Sequence, residues 1–286
     1  MADGLVVQRF QDAAAFLEGA GRFLGAREAE HNLMLGLAGL LTTNPNLYGP
    51  NPYFAAVQRG GETVAAALRT PPHNLVLSET SEPAAVEALV GDVAEAFDEL
   101  SGVVGPKDVS LRFAELWSRA TGQRAQRAMA NRAFRAETVR APRAVSGSMR
   151  RAGADDRPLL VEWIAAFQDE AIGGRSHRSA DDAVDDYLAR TNGGVYVWED
   201  GEPVSLAGYG GPTPNGIRIG PVYTPPAYRG RGYASALTAN LTSLLLSSGR
   251  RFCFLFTDLA NPTSNRIYER IGYEPVTDID EYRFGH

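Results

Sequence analysis

The sequence predicts an α+β fold built as two tandem units, and three observations carry that expectation. Short apolar runs with period-two alternation sit among longer stretches whose apolar residues recur at helical spacing. One order of elements (strand, helices, hairpin, strand, helix, strand, helix, strand) occurs twice along the chain. Between the two runs lies "RAPRAVSG" (140–147), a link with Pro and Gly and no strong periodicity. The expected units are therefore 1–143 and 144–286.

In the first half, a strand at 5–10 precedes helical patterning to about residue 41. The turn-rich "TTNPNLYGPNP" (42–52) reads as a loop. A hairpin at 53–70 reverses at Gly60-Gly61, with alternating apolar residues on both arms. "NLVLSE" (74–79) reads as a strand, and Pro83 opens a helix carrying Ala85, Val86, Leu89, Val93 and Phe97 on one side. A strand at 101–104, a helix at 109–122 and a last hairpin near 123–139 complete this half.

The second half repeats the order. A strand at 149–151 leads to a helix at 155–171, and a hairpin at 193–211 turns at Asp200-Gly201. "GIRIGPVYT" (216–224) is a strand, 234–249 a helix and "RFCFLFTD" (251–258) a strand. A short helix at 261–273 and a final strand at 274–284 close the chain.

Composition bounds the chemistry. With 286 residues, 44% of them hydrophobic, the chain can build one large core or two modest ones. A net charge of -6 argues against broad binding to nucleic acid or an anionic membrane, so any phosphate recognition has to be local. The single cysteine, Cys253, excludes an internal disulfide and a cysteine-built zinc site, and its alternation with apolar neighbours places it in the core. No apolar run approaches the ~20 residues a membrane span needs, and the first residues lack a signal-peptide pattern. A soluble, cytoplasmic protein without a metal is expected.

The chemistry concentrates after the strand at 216–224. In "PPAYRGRGYASAL" (225–237), Pro225-Pro226 ends the strand, and Leu237, Leu241, Leu244 and Leu245 recur at helical spacing up to Gly249. Gly230 and Gly232 thus stand at a helix mouth, where N–H groups lack internal partners and the dipole is positive. Such a mouth can bind a diphosphate, with Arg229 and Arg231 adding charge and Ser235 a hydroxyl. The same turn can also be a plain connector that binds nothing, and an RGG-type nucleic-acid segment is a third reading. The dinucleotide "GxGxxG" pattern fails, because Ser235 stands where its third glycine would be. Further on, Asn261 reads as an N-cap and Pro262 as the first helical residue, with Ser264, Ile267, Tyr268 and Ile271 on one face. Tyr268 can equally be a buried core tyrosine.

These two stretches resemble the GNAT N-acyltransferase superfamily. The run Arg229-Gly230-Arg231-Gly232-Tyr233-Ala234 fits its R/Q-x-x-G-x-G/A signature, and Asn261 to Tyr268 is similar to its N-x-x-[SA]-x-x-x-Y region. The resemblance covers roughly 148–286 and implies two tandem GNAT-like domains, each a mixed, mostly antiparallel twisted sheet flanked by helices. It implies acetyl-CoA as co-substrate, its pyrophosphate held by 229–235 and its pantetheine arm by Val222, Tyr223, Thr224, Asn261 and Asn265. It further implies direct attack of an acceptor amine in a ternary complex, an oxyanion held by the N–H of Val222, and Tyr268 as proton donor to the leaving thiolate. Asp258 and Glu170 are the candidate bases, and each can instead be structural. His177 is either a surface residue or part of an acceptor loop. The partner implied is a small-molecule amine, with neither nucleic acid nor membrane. A non-catalytic acyl-CoA-binding or regulatory module is the alternative.

The first half lacks these marks. Its corresponding turn, "SETSEP" (78–83), has no glycine and brings Glu79 and Glu82 to a helix mouth, where they would repel a diphosphate. A degenerate domain that shapes the acceptor site or makes a homodimer contact is expected there.

Overall fold

A computed structural model describes residues 4–173 and 178–285. The first run of elements is β1 (Leu5–Phe10), α1 (Ala13–Ala26), α2 (Asn32–Thr43), β2 (Tyr53–Arg59), β3 (Glu62–Arg69), β4 (Leu75–Leu77), α3 (Pro83–Ala96), β5 (Gly102–Pro106), α4 (Lys107–Thr121) and β6 (Arg124–Ala136). The second run is β7 (Ser148–Arg151), α5 (Arg157–Ile172), α6 (Ala180–Ala189), β8 (Gly194–Glu199), β9 (Pro203–Gly210), β10 (Gly216–Tyr223), α7 (Tyr233–Ser247), β11 (Phe252–Asp258), α8 (Pro262–Arg270) and β12 (Glu274–Gly285). Strand, two helices, three strands, helix, strand, helix, strand therefore occurs twice among the described residues.

Two compact units result, and they do not follow the chain's midpoint. The first holds the described residues up to Ala133, Thr257–Asn261 and the described residues from Val276 onward; the second holds Phe134–Phe256 and Pro262–Pro275. A single cut giving 1–143 and 144–286 is thus replaced by an exchange of segments. Strand β12 pairs antiparallel with β5, from Ile279↔Pro106 to Arg283↔Gly102. Strand pairing depends on an edge of matching register and not on nearness in sequence.

In the first unit the strand order is β1-β2-β3-β4-β5-β12-β6, with β4 and β5 parallel. Both sheet faces are covered, so β2 and β3 bury successive residues on opposite sides. Tyr53, Ala55, Val57, Ala65 and Ala67 pack with α3 and α4 residues such as Leu89, Phe113 and Trp117. Phe54, Ala56, Ala66 and Leu68 pack with Phe16, Leu24 and Leu35 of α1 and α2.

The second unit orders its strands β11-β10-β9-β8-β7, with β10 and β11 parallel. One core joins Ile217, Ile219, Leu237, Leu241, Cys253 and Tyr268; the other joins Leu160, Trp163, Val184, Val197 and Tyr223.

Three local expectations change. Residues 123–139 form no hairpin; β6 is one 13-residue strand, because no Gly or Pro within it supplies a reversal. Helix α6 stands where no element is expected, started by Ser179, whose hydroxyl accepts the Asp182 N–H at 3.0 Å. Leu244 is 41% exposed, so the apolar stripe of α7 is narrower than its leucines suggest.

Candidate functional site

The site grows out of the end of β10. Its parallel pairing with β11 runs from Gly216↔Phe252 to Arg218↔Phe254 and stops there, while β10 continues to Tyr223. On its other side β10 stays paired with β9, through a register shift between Ile219 and Val222. The peptide Gly220-Pro221 is cis and lies in this bulge. Tyr187 of α6 donates its hydroxyl to the Gly220 carbonyl at 3.0 Å, and a Cβ on Gly208 would sit 2.9 Å from that oxygen. Glycine at 208 is what lets the bulge close onto β9.

The direction of the backbone follows. Ser205 Oγ on β9 donates to the Tyr223 carbonyl at 3.0 Å, and Tyr223 pairs with Leu206. In an antiparallel ladder alternate residues face the neighbour, so Val222 turns its N–H and C=O toward the side that β11 has left. The result is an opening beside 219–223 with backbone hydrogen-bonding groups along one wall.

At the head of that wall stands α7. Gly230 has φ +78° and Gly232 φ +93°, a left-handed conformation that other residues adopt only under strain. A Cβ on Gly232 would also lie 3.0 Å from Val145 Cγ1. Gly232 caps α7 without any side-chain bond, and the first helical bond is Ala236 N–H to the Gly232 carbonyl, 3.0 Å. The N–H groups of Tyr233, Ala234 and Ser235 therefore have no helical carbonyl and meet the positive end of the dipole. Ala234 and Ser235 are half-buried, while Gly230, Arg231 and Gly232 are exposed. Tyr233 contributes backbone only: its ring is in the core, and its hydroxyl donates to Asp200 Oδ2 at 2.6 Å. The Ser146 and Tyr233 hydroxyls hold the Asp200 carboxyl below the usual carboxylate range.

The charged residues are already engaged. Arg229 bonds Glu170 Oε2 at 2.6 Å and the Thr224 carbonyl at 2.9 Å, and lies 5.7 Å from the Tyr223 ring centre. Tyr223 donates to Glu170 Oε1 at 3.2 Å. Arg231 sits over the Tyr228 ring at 5.9 Å.

The other sequence-derived residues fall as follows. Tyr268 is buried with Ile219 and Leu255, in the cluster against which Val222 packs, and meets Tyr273 edge to face at 6.0 Å. Burial pushes its phenol up to about 12. Asp258 accepts the Ala260 N–H at 2.8 Å, and its carbonyl accepts the Asn261 N–H at 3.0 Å, so it braces that turn. These turn residues belong to the first unit. Asn261 is exposed and Asn265 is half-buried in α8. His177 lies outside the described residues. Cys253 is buried, and burial raises its thiol to about 12. Among the described residues no group of three His, Cys, Asp or Glu is placed to hold a metal, and no helix is long and apolar enough to cross a membrane.

Residues 160–273, from α5 to Tyr273, match the model of the acetyltransferase (GNAT) family. That segment is similar to a GNAT acetyltransferase domain. That span contains both parallel strands, the glycine turn and Tyr268. A search of curated proteins finds no match. Solved structures share the fold across nearly the whole chain: a Drosophila protein at 14% identity (TM-score 0.69, 99% of each chain covered). A GCN5-related N-acetyltransferase from Sphaerobacter thermophilus aligns at 16% identity (TM-score 0.62, 99% of this chain and 96% of that one). A tandem GNAT protein from the clavulanic acid biosynthesis pathway aligns at 13% (TM-score 0.54, 98% of each). The tandem GNAT fold is thereby established.

The first unit's counterpart of the GNAT site differs from expectation in one respect. Glu79 and Glu82 do not stand as bare repelling charges: Arg27 pairs with Glu79 and Arg59 with Glu82, each at 2.6 Å. What fills the place is His31, buried at 3% exposure. Its Nε2 accepts the Glu79 N–H at 3.1 Å, its Nδ1 meets the Leu24 carbonyl at 3.0 Å, and Phe23 stacks on it at 5.5 Å. No local pattern around His31 forecasts this, since its partner is far along the chain.

Proposed function

We propose that the second unit binds acetyl-CoA along the open side of β10 and transfers its acetyl group to a small-molecule amine. The observation that carries this reading is the coincidence of two features. Strand β10 loses its partner after Arg218, and the unbonded N–H groups of α7 stand where the opened strand ends. Acetyl-CoA fits this donor set: a diphosphate takes up bare N–H groups at a helix mouth, and an extended amide chain takes up an unpaired strand edge. The co-substrate supplies an activated thioester.

The chain's own residues divide the remaining work. Gly230 and Gly232 keep side chains away from the mouth, and the N–H groups of Tyr233, Ala234 and Ser235 bind the diphosphate. Val222 offers its N–H to the carbonyl oxygen as negative charge develops there. Tyr268 keeps its proton throughout the neutral range, because burial has raised it, and is the donor to the departing sulfur. Pro221, with no N–H, leaves Val222 as the donor at that point of the strand. The family's usual setting favours an intracellular role for this activity.

Coenzyme A titration by calorimetry, followed by an acetyl-CoA consumption screen across amines, tests the reading. Binding with turnover for at least one amine supports the enzyme. Binding without turnover across the panel favours a non-catalytic acyl-CoA module. Tyr268→Phe should then lower kcat by about 100-fold with coenzyme A affinity within about twofold; wild-type turnover in that variant removes its acid role.

A further inference from the structure

At the glycine turn Arg229 bonds a carboxylate, and that carboxylate, Glu170, reaches it from α5, 59 residues earlier in the sequence. The pair is half-exposed on both sides, so it can be broken at small cost. A bound diphosphate at the adjacent N–H groups offers the guanidinium a doubly charged partner, whereas Glu170 carries one charge and takes a single guanidinium bond. Once Arg229 turns away, Glu170 keeps only the Tyr223 hydroxyl and stands beside the end of β10.

We propose that the Arg229–Glu170 pair is a latch: the diphosphate captures Arg229, and its departure frees Glu170 as the base for the acceptor amine. This rests on the acetyl-CoA reading above. Glu170 is a competitor of the co-substrate before binding and a proton acceptor after it. In the second role the N–H bond of the acceptor's ammonium breaks, the proton passes to a Glu170 oxygen, and the lone pair is left on nitrogen for attack. The base is thus available only when the acyl donor is in place, which ties deprotonation of the acceptor to the presence of the thioester.

Coenzyme A titrations of the whole protein test this without knowledge of the acceptor. Glu170→Gln should tighten coenzyme A by about threefold, within the range that releasing one surface ion pair allows. Arg229→Ala should weaken binding, and Glu170→Gln should add nothing in the Arg229→Ala background. Arg229→Lys should restore part of the affinity. With an amine that turns over, Glu170→Gln should lower kcat while its affinity for coenzyme A improves; a merely structural role would worsen both or change neither. Unchanged or weaker binding in Glu170→Gln, or a gain that persists without Arg229, overturns the latch. Failure of the unaltered protein to bind coenzyme A would instead defeat the acetyl-CoA reading itself.

Discussion

The mouth of α3 and the mouth of α7 occupy the same position in the repeated element order, yet they are built for opposite ends. At α7 two left-handed glycines expose bare N–H groups, and the parallel strand pair before it opens after Arg218. At α3 the turn carries no glycine, Pro83 begins the helix, and each glutamate is tied to an arginine. There β4 is three residues long, and Gly105 of β5 lies so near Leu77 that an added Cβ would be 3.0 Å from its Cβ. The space left between Leu77, Gly105 and His31 is only about 10 Å³, and the larger opening at the turn, about 210 Å³, is lined by the paired Arg27 and Glu79 and by Glu82. His31 takes the Glu79 N–H that would otherwise point into such a space. A strand-to-helix connection therefore needs no glycine to be made. The glycines of the second unit answer a demand for open backbone, and the first unit has met its own backbone demand with a side chain.

That contrast can be broken in several ways, the largest first. An isolated segment 1–143 lacks β12 and leaves one edge of β5 unpaired in the middle of its sheet, so it should show no cooperative unfolding transition. A sharp transition like that of the whole chain would restore the midpoint as a true boundary. Gly232→Val combines a φ of +93° with contact against Val145 and should weaken coenzyme A by about 100-fold, the worth of one hydrogen bond to a charged group. Unchanged affinity would remove the diphosphate from α7. His31→Ala leaves the Glu79 N–H unmet and should cost about 1–3 kcal/mol in denaturant melts, while the coenzyme A stoichiometry stays at one per chain. Two equivalents would mean the imidazole alone separates the units. The last effect is alkaline and is small only near neutral pH. Burial raises Cys253 and Tyr268 to about 12, so the folded state holds protons that the unfolded chain releases. Stability is then full below the ordinary thiol and phenol range and falls as pH climbs toward about 12. A flat profile of unfolding free energy from pH 8 upward, roughly the ordinary thiol range, would contradict that burial.

Much of this was legible in the residues. Period-two and helical spacing located most of the elements, and the repeat of order followed from them. Gly230, Gly232 and Tyr268 could be singled out because positive φ and helix faces leave local marks. Other features left none. Strand β12 alternates like any edge-seeking strand, and nothing in "EPVTDIDEYRF" says which sheet it will join. Glu170 and Arg229 meet only through the packing of α5 on β10, and either looks like a solvated charge when read alone. Helix α6 is rich in aspartate, and its reason to exist is Val184, buried against Val195 and Val197.

One feature has a meaning in time as well as in space. The strand that completes the sheet next to β5 is synthesised only after the whole second run of elements from β7 to α8. Emerging earlier from the ribosome gives the first run of elements no head start, because its sheet stays unfinished until β12 has followed. Through all of that interval the edge of β5 is exposed to whatever other strand comes by.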